Sequence, residues 1–501
     1  VLVGGDAAEV LATGGHDWEN RFVDRRWTYS LEDVETGLQA AYRALADDVR
    51  DRHGVDLVEV AAIGVSAMMH GYLAFDADDR LLVPFRTWRN TSTGPAAAEL
   101  SGLLGVNIPL RWSIAHLHQA VLDQEEHVAR IASITTLAGY VHRRLTGRAL
   151  LGVGDASGMF PIDSATQDYD ADLLARYDER AAGRVPPLRS LLPEVLDAGR
   201  RAGELTAEGA AFLDPSGALR PGAVLAPPEG DAGTGMVATN SVAPRAGNVS
   251  VGTSVFAMVV LEGPLAQVHH ELDLVTTPSG DPVAMVHCNN GASELGAWAQ
   301  VFARFAEVVG APLDADAVFA ALFREALDGE GDAGGLLAYN LLSGEPIAGL
   351  EEGRPLVVRT PDSRLTLANL MRAQIYGVFG TLALGMRVLA EEGVRLERML
   401  AHGGLFRTEG VAERFLAGAI DAPVALGETA AEGGAWGMAV LAGYTASGAE
   451  VDLATYLLER VFAGASFRTV QPEADDVAAF AAYLDRFRAG LVIQRAAIDA
   501  L

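Results

Sequence analysis

The chain has 501 residues, half of them hydrophobic, and a formal net charge of −28. That length exceeds what one core fills and implies two or three domains, while the acidity argues against nucleic acid and anionic membranes as partners. A single cysteine, Cys288, excludes an internal disulfide framework; with no signal peptide and no apolar run read as membrane-spanning, the chain is expected in the cytoplasm.

In chain order, Val1-Leu2-Val3-Gly4-Gly5-Asp6 reads as the tail of a strand and a turn, followed by a second strand over 8–13. A sheet that opens in mid-hairpin would leave an unpaired edge. The spacing of Leu31, Val34, Leu38, Ala41, Leu45 and Val49 predicts an amphipathic helix over 30–54, with Ser30 as its N-cap. A strand over 55–66 follows, and the order strand–helix–strand indicates an α/β unit. Leu73-Ala74-Phe75-Asp76 and Leu81-Leu82-Val83-Pro84 flank a polar turn and predict a hairpin. Helices are predicted over 96–105, 114–131 and 135–146, then a mixed region over 163–203 broken by Pro186-Pro187 and Pro193.

Ala223-Val224-Leu225-Ala226 reads as a buried strand running into a glycine-rich turn that carries one carboxylate, Asp231. Ala243-Pro244-Arg245 marks the passage between domains, giving 1–242 and 243–501. The second half repeats the grammar, with strands over 247–251, 255–261, 282–287, 397–401 and 423–425. Its helices are predicted over 293–309, 315–327, 365–393, 409–419, 431–446 and 474–497.

Several stretches carry chemistry. Asp231 on a glycine turn, some twenty residues before the second turn Gly252-Thr253-Ser254, suits phosphoryl transfer. The acid can take a proton from a hydroxyl, and exposed amides can hold phosphate oxygens. Met69-His70-Gly71 at a strand end could hydrogen-bond a polyol, and Trp88-Arg89-Asn90 offers an indole face and an amide to a sugar. Gly154-Asp155 places another acid on a turn. Gly403-Gly404-Leu405-Phe406-Arg407 and the stretch from Glu428 to Ala435 could form a nucleobase slot. Each taken alone also fits ordinary packing or loop structure. Gly64-Val65-Ser66-Ala67-Met68 fails as a nucleophile elbow because Met68 stands where glycine is needed. Neither the dinucleotide fingerprint nor a P-loop occurs, and the histidines lack zinc-ligand spacing.

In their order, these stretches resemble the FGGY carbohydrate kinase family, and xylulokinases within it. The resemblance spans nearly the whole chain. It rests on Gly64-Val65-Ser66 leading to Met69-His70-Gly71, on Trp88-Arg89-Asn90, and on Leu145-Thr146-Gly147. It continues through Asp155-Ala156-Ser157-Gly158-Met159, Glu229-Gly230-Asp231, Gly252-Thr253-Ser254, Leu342-Ser343-Gly344-Glu345 and Gly403-Gly404. The family's opening strand, with its Asp-x-Gly-Thr turn for phosphate and Mg²⁺, has no match; the metal-holding aspartate is expected upstream of Val1. His116 stands where the family's first signature has lysine, Glu229 where the acid turn has glycine, and Trp88-Arg89-Asn90 replaces Trp-Asn-Asp.

The resemblance implies an α/β fold of two RNase H-like (actin/hexokinase-type) domains flanking a deep cleft. It implies a sugar-binding domain over 1–242 and a nucleotide-binding domain over 243–501. It also implies a sugar held by Met69, His70, Trp88, Asn90 and Asp155, Asp231 as general base, and ATP with Mg²⁺ against Gly252, Thr253, Ser254, Gly403, Gly404, Phe406 and Arg407. The acceptor would be a ketose of pentulose type or a polyol. Partners would be that sugar and ATP, with a homodimer allowed. Two rivals share the fold: a non-catalytic sugar-binding member, and an actin-like ATPase driving a partner protein.

Overall fold

The computed structural model describes all residues of the chain except Asn20 and 428–432. The first part of the expected nucleobase slot, Glu428 to Glu432, therefore lies outside the described residues. The chain forms two compact units: Val1–Ala243 with Leu274–Val283 and Ala431–Ala465, and Pro244–Asp273 with Ala284–Ala430 and Ser466–Leu501. The first passage falls at Ala243/Pro244, and the chain then returns to the first unit twice.

The first unit opens with β1 (Leu2–Gly4) and β2 (Glu9–Ala12), an antiparallel hairpin as the sequence implies. Helix α1 (Leu31–His53) follows, capped by the Ser30 hydroxyl on the Asp33 amide and closed by Gly54 in the left-handed conformation. The strand expected over 55–66 is reduced to two short ladders, β3 (Ala62–Ile63) and β4 (Ser66–Ala67). The hairpin expected after it is incomplete. Leu73–Phe75 pairs instead with Ser133–Thr135, and its link to Leu81 is a single bridge. The helix expected over 114–131 breaks after Leu122, where Gln124 takes a positive φ of 55°.

Helix α2 (Leu137–Thr146) and the one-turn helix α3 (Val153–Ala156) lead to β5 (Val224–Leu225) and β6 (Glu229–Gly230). β5 pairs parallel with β3, and β6 pairs parallel with β4. Helix α4 (Asp231–Ala238) starts where β6 ends, and the late glycine-rich helix α5 (Gly433–Ala446) packs against it. The core here gathers Val34, Leu73, Phe75, Phe85, Val141 and Leu225. β1, the segment around β3 and β4, α1 and α5 border an apolar cavity of about 530 Å³. Val3, Leu38, Ile63, Val65 and Met438 are among its walls. Among the described residues β1 pairs with β2 alone.

Five strands of a seven-stranded sheet lie wholly in the second unit. They run in the order Val255–Val260, Ala246–Val251, Arg398–His402, Val424–Gly427, Phe467–Val470. The middle three are mutually parallel and the outer two antiparallel to their neighbours. Hydrogen-bonded β-ladders with helices between them are the α/β pattern that the alternation of periods implied. The helix Leu367–Glu391 corrects one expectation. At 25 residues it is long and apolar enough to cross a bilayer, yet 78% of its apolar window is buried among its neighbours, as in a core helix.

Candidate active site

The parallel ladder between β4 and β6 puts Glu229 beside Ser66 and Gly230 beside Ala67, so two strand ends close side by side. Only glycine fits at 230. A Cβ there would lie 2.9 Å from Met69 Cγ and 3.0 Å from Met69 Cβ, tighter than packed atoms tolerate. Asp231 follows as the first residue of α4. Its Oδ1 accepts the Met69 and Ala232 N–H groups, each at 3.0 Å. Neither bond uses Oδ2. The side chain reaches solvent, yet protein crowds it on most sides. That desolvation raises its pKa, and the two amides pull the other way.

Helix α4 is fixed from behind. Thr234 Oγ1 lies 2.9 Å from Ser66 Oγ, and α5 approaches through Gly434 and Gly437, where any Cβ would collide with Thr234. The glycines of α5 therefore serve close helix packing. Trp436, on the same helix, donates its indole N–H to Ala8 O at 2.8 Å and holds the first hairpin.

Met69 meets Asp231 through its backbone N–H, His70 follows it in the chain, and both are buried. His70 has a positive φ of 70°, which turns its ring toward the Gly158 carbonyl, 3.2 Å from Nδ1. A carbonyl only accepts, so Nδ1 carries the ring proton. The ring stacks on Trp112 with centroids 6.4 Å apart.

Asp155 is not on a surface turn. It is fully buried behind Gly230, with Oδ2 accepting the Thr136 hydroxyl at 2.6 Å and Oδ1 without a partner. Glu229, where the family's acid turn has glycine, is equally buried and accepts the Gly154 and Asp155 N–H groups at 3.2 and 2.9 Å. Burial pushes Asp155 up to about 7 and Glu229 up to about 8; the Asp155 charge adds to the rise at Glu229.

The remaining sugar-side residues divide. Trp88 is 39% exposed and carries the Arg89 guanidinium 5.3 Å from its ring. Asn90 is buried and clamps backbone. Its Oδ1 accepts the Trp27 N–H at 2.9 Å, and its Nδ2 donates to the Trp27 and Thr87 carbonyls at 2.8 and 3.0 Å. Its two donors are thus spent, and one lone pair of Oδ1 remains for a ligand. His116 does not replace a lysine charge. Both ring nitrogens are buried without partners, and burial, then Arg86 and Arg26, push its pKa down to about 3.

In the second unit, two turns meet at one end of the sheet. Ser250 pairs with His402, so Gly252-Thr253-Ser254 and Gly403-Gly404 leave neighbouring parallel strands together. Gly403 has φ 112°, and a Cβ there would collide with the Val251 carbonyl, so only glycine serves. The 252–254 turn is braced by Gly291 and Ala292, whose N–H groups donate to Thr253 O and Gly252 O at 2.7 and 2.8 Å. Gly252, Thr253, Gly403, Gly404 and Arg407 are exposed and Ser254 is half-buried. Phe406 turns inward and is buried, so its ring joins the core rather than offering a stacking face. Open turns at the carboxyl ends of parallel strands are where α/β sheets bind ligands.

Sequence reasoning missed Glu229 and Thr136 as parts of this arrangement. The signal for Glu229 was present: an acid two residues before the base, in a glycine's place. Thr136 gave none, because its link to Asp155 depends on α2 docking behind the turn. Among the described residues no group of three or more histidine, cysteine or carboxylate side chains is arranged to hold a metal.

Comparison with known proteins adds to this geometry. The profile of the FGGY family of carbohydrate kinases, N-terminal domain, matches residues 6–214, and that of the C-terminal domain matches residues 247–446. A xylulose kinase of Escherichia coli is 27% identical over 191 residues, 34% of this chain and 37% of the relative. One from Haemophilus influenzae is 22% identical over 359 residues, 69% and 68% of the two chains. The E. coli alignment thus spans little more than a third of that relative's length. A crystal structure of a xyloylose kinase from Brucella ovis superposes with a TM-score of 0.74 at 22% identity, covering 95% of this chain and 93% of the other. At that identity the superposition shows a shared fold.

Proposed function

Because the chain belongs to the FGGY family of carbohydrate kinases, we propose that it transfers the γ-phosphoryl group of MgATP to a hydroxyl of a small sugar, a ketose of pentulose type or a polyol. The observation that carries this reading is Asp231: a carboxylate at a strand end, on an exposed residue, held in place through Oδ1 by two backbone amides. Such a group can accept the proton of an attacking hydroxyl while its position stays fixed. Met69 would add an apolar wall and His70 a hydrogen-bonding imidazole next to it. Trp88, partly open, suits the C–H face of a sugar.

The nucleotide belongs with the second unit in this reading. The amides of Gly252-Thr253-Ser254 and Gly403-Gly404 would hold phosphate oxygens, and Arg407 adds a positive charge. Mg²⁺ would enter with the nucleotide as part of the substrate. There it neutralises charge on the transferring group. Xylulose heads the candidate sugars, since the relatives named above are xylulose kinases.

The test is a panel of ketoses and polyols assayed with MgATP for wild type and Asp231→Asn. Sugar-dependent ATP consumption, reduced by about 10²–10⁴-fold in the variant, is the expected result. Calorimetry on the same panel separates the rivals. Sugar uptake without ATP consumption would identify a binding member, and ATP hydrolysis indifferent to sugar would identify an actin-like ATPase.

A further inference from the structure

Two buried carboxyls stand directly behind Asp231, and among the described residues neither pairs with a cation. One of them, Glu229, reaches across to the start of α3. Gly152 and Gly154 form its cradle, since a Cβ at either position would collide with the carboxyl. From α3 the chain runs on to Gly158, whose carbonyl receives the His70 ring and whose lack of a Cβ leaves that ring its room. On the far side of the pair, Asp155 is tied to Thr136, the N-cap of α2, and its Oδ1 lies against Gly230. One acid therefore joins the strand end that carries Asp231 to the turn that backs His70.

We propose that Glu229 is a positioning residue for Asp231: by binding the Gly154 and Asp155 amides it locks the end of β6 in register with Met69 and so aims the Asp231 carboxylate. The proposal rests on reading Asp231 as the general base. The β4–β6 ladder spans only two residue pairs, so by itself it holds this strand end loosely. With glycine at 229 the two amides of α3 would lose their acceptor inside a site closed to water. The cradle of Gly152 and Gly154 leaves space for this one side chain, which is the mark of a built contact rather than a tolerated one.

The experiment compares wild type with Glu229→Gln and Thr136→Val, the second loosening the pair from its other side. Backbone amide hydrogen exchange is read first, without sugar or ATP, and so stands whatever the reaction proves to be. The Met69 and Ala232 amides, which bond Asp231 Oδ1, are expected to exchange about tenfold faster or more in either variant, with melting changed by only a few degrees. Steady-state assays should then show kcat lowered about 10–100-fold and sugar KM within about twofold. Unchanged exchange at Met69 and Ala232 overturns the proposal, as does a loss confined to KM. If Glu229→Gln does not fold, Glu229→Asp, which shortens the reach to the Gly154 and Asp155 amides, decides the matter by the same exchange readout. A wild type that consumes no ATP with any sugar would sink the kinase reading and leave the exchange result to be judged on its own.

Discussion

The Met69 N–H and the Asp231 carboxylate meet at 3.0 Å although 162 residues separate them in the chain. This bond ties the carboxylate to the residue before His70, and glycine at 230 is what lets the two strand ends come so close. Gly230→Ala would push a methyl group into Met69 Cβ and Cγ and toward Asp155 Oδ1. Overpacking of this kind costs about 1–3 kcal/mol. The variant is expected to melt several degrees lower and to lose at least about tenfold in turnover, because relief of the clash has to move Met69 or Asp231. Full activity at unchanged melting temperature would mean that the turn is softer than its packing implies.

Much of the fold was legible in the chain. α1 was marked by its periodicity and its Ser30 cap. The parallel strands of the second unit were marked by apolar runs that end in glycine turns, such as Gly403-Gly404 after the strand at 397–401. What stayed hidden depended on distant partners. β3 and β4 are two residues long because the segment around them gains its order from β5 and β6, some 160 residues on. The burial of Asp155 could not be read from Gly154-Asp155, since α2 and β6 close over it only in the fold. Asn90 illustrates the same limit. An amide next to a tryptophan reads as a sugar ligand, whereas its partners are backbone groups of Trp27, 63 residues earlier.

That clamp yields a test separating structure from binding. Asn90→Ala would leave the Trp27 N–H without its acceptor and take one donor from each of the Trp27 and Thr87 carbonyls, which keep the Thr87 and residue-90 backbone N–H groups. A buried group left unsatisfied costs about 1–3 kcal/mol. The expected result is a melting temperature lowered by several degrees, with Asn90→Asp no better, because a carboxylate supplies no donor for the two carbonyls. Sugar KM measured on the fraction still folded should change by less than about fivefold. A large rise in KM at wild-type stability would instead place Asn90 in direct contact with the sugar.

The carboxyl pair behind the base makes stability depend on pH in a definite direction. Burial raises Asp155 to about 7 and Glu229 to about 8 in the folded chain, above the ordinary carboxylate range. Around Asp155 the structure places the Thr136 hydroxyl and the Asp231 carboxylate; around Glu229 it places the Gly154, Asp155 and Gly230 amides and the Asp155 carboxylate. Folding therefore takes up protons here. The stabilisation of the protonated pair is complete below the unfolded values, near pH 4, and is lost as pH rises through the folded values toward 8. Wild type should accordingly melt progressively lower from about pH 5 to about pH 8.5 as far as these groups decide it. Glu229→Gln and Asp155→Asn each remove one titrating group while keeping its shape. The gap in melting temperature between wild type and either variant should narrow steadily as pH rises, since only wild type loses the full contribution. Thermal scans of the three proteins at matched ionic strength give the answer. A gap that stays constant across this range would show that the pair remains in one protonation state throughout, contrary to the burial that surrounds it.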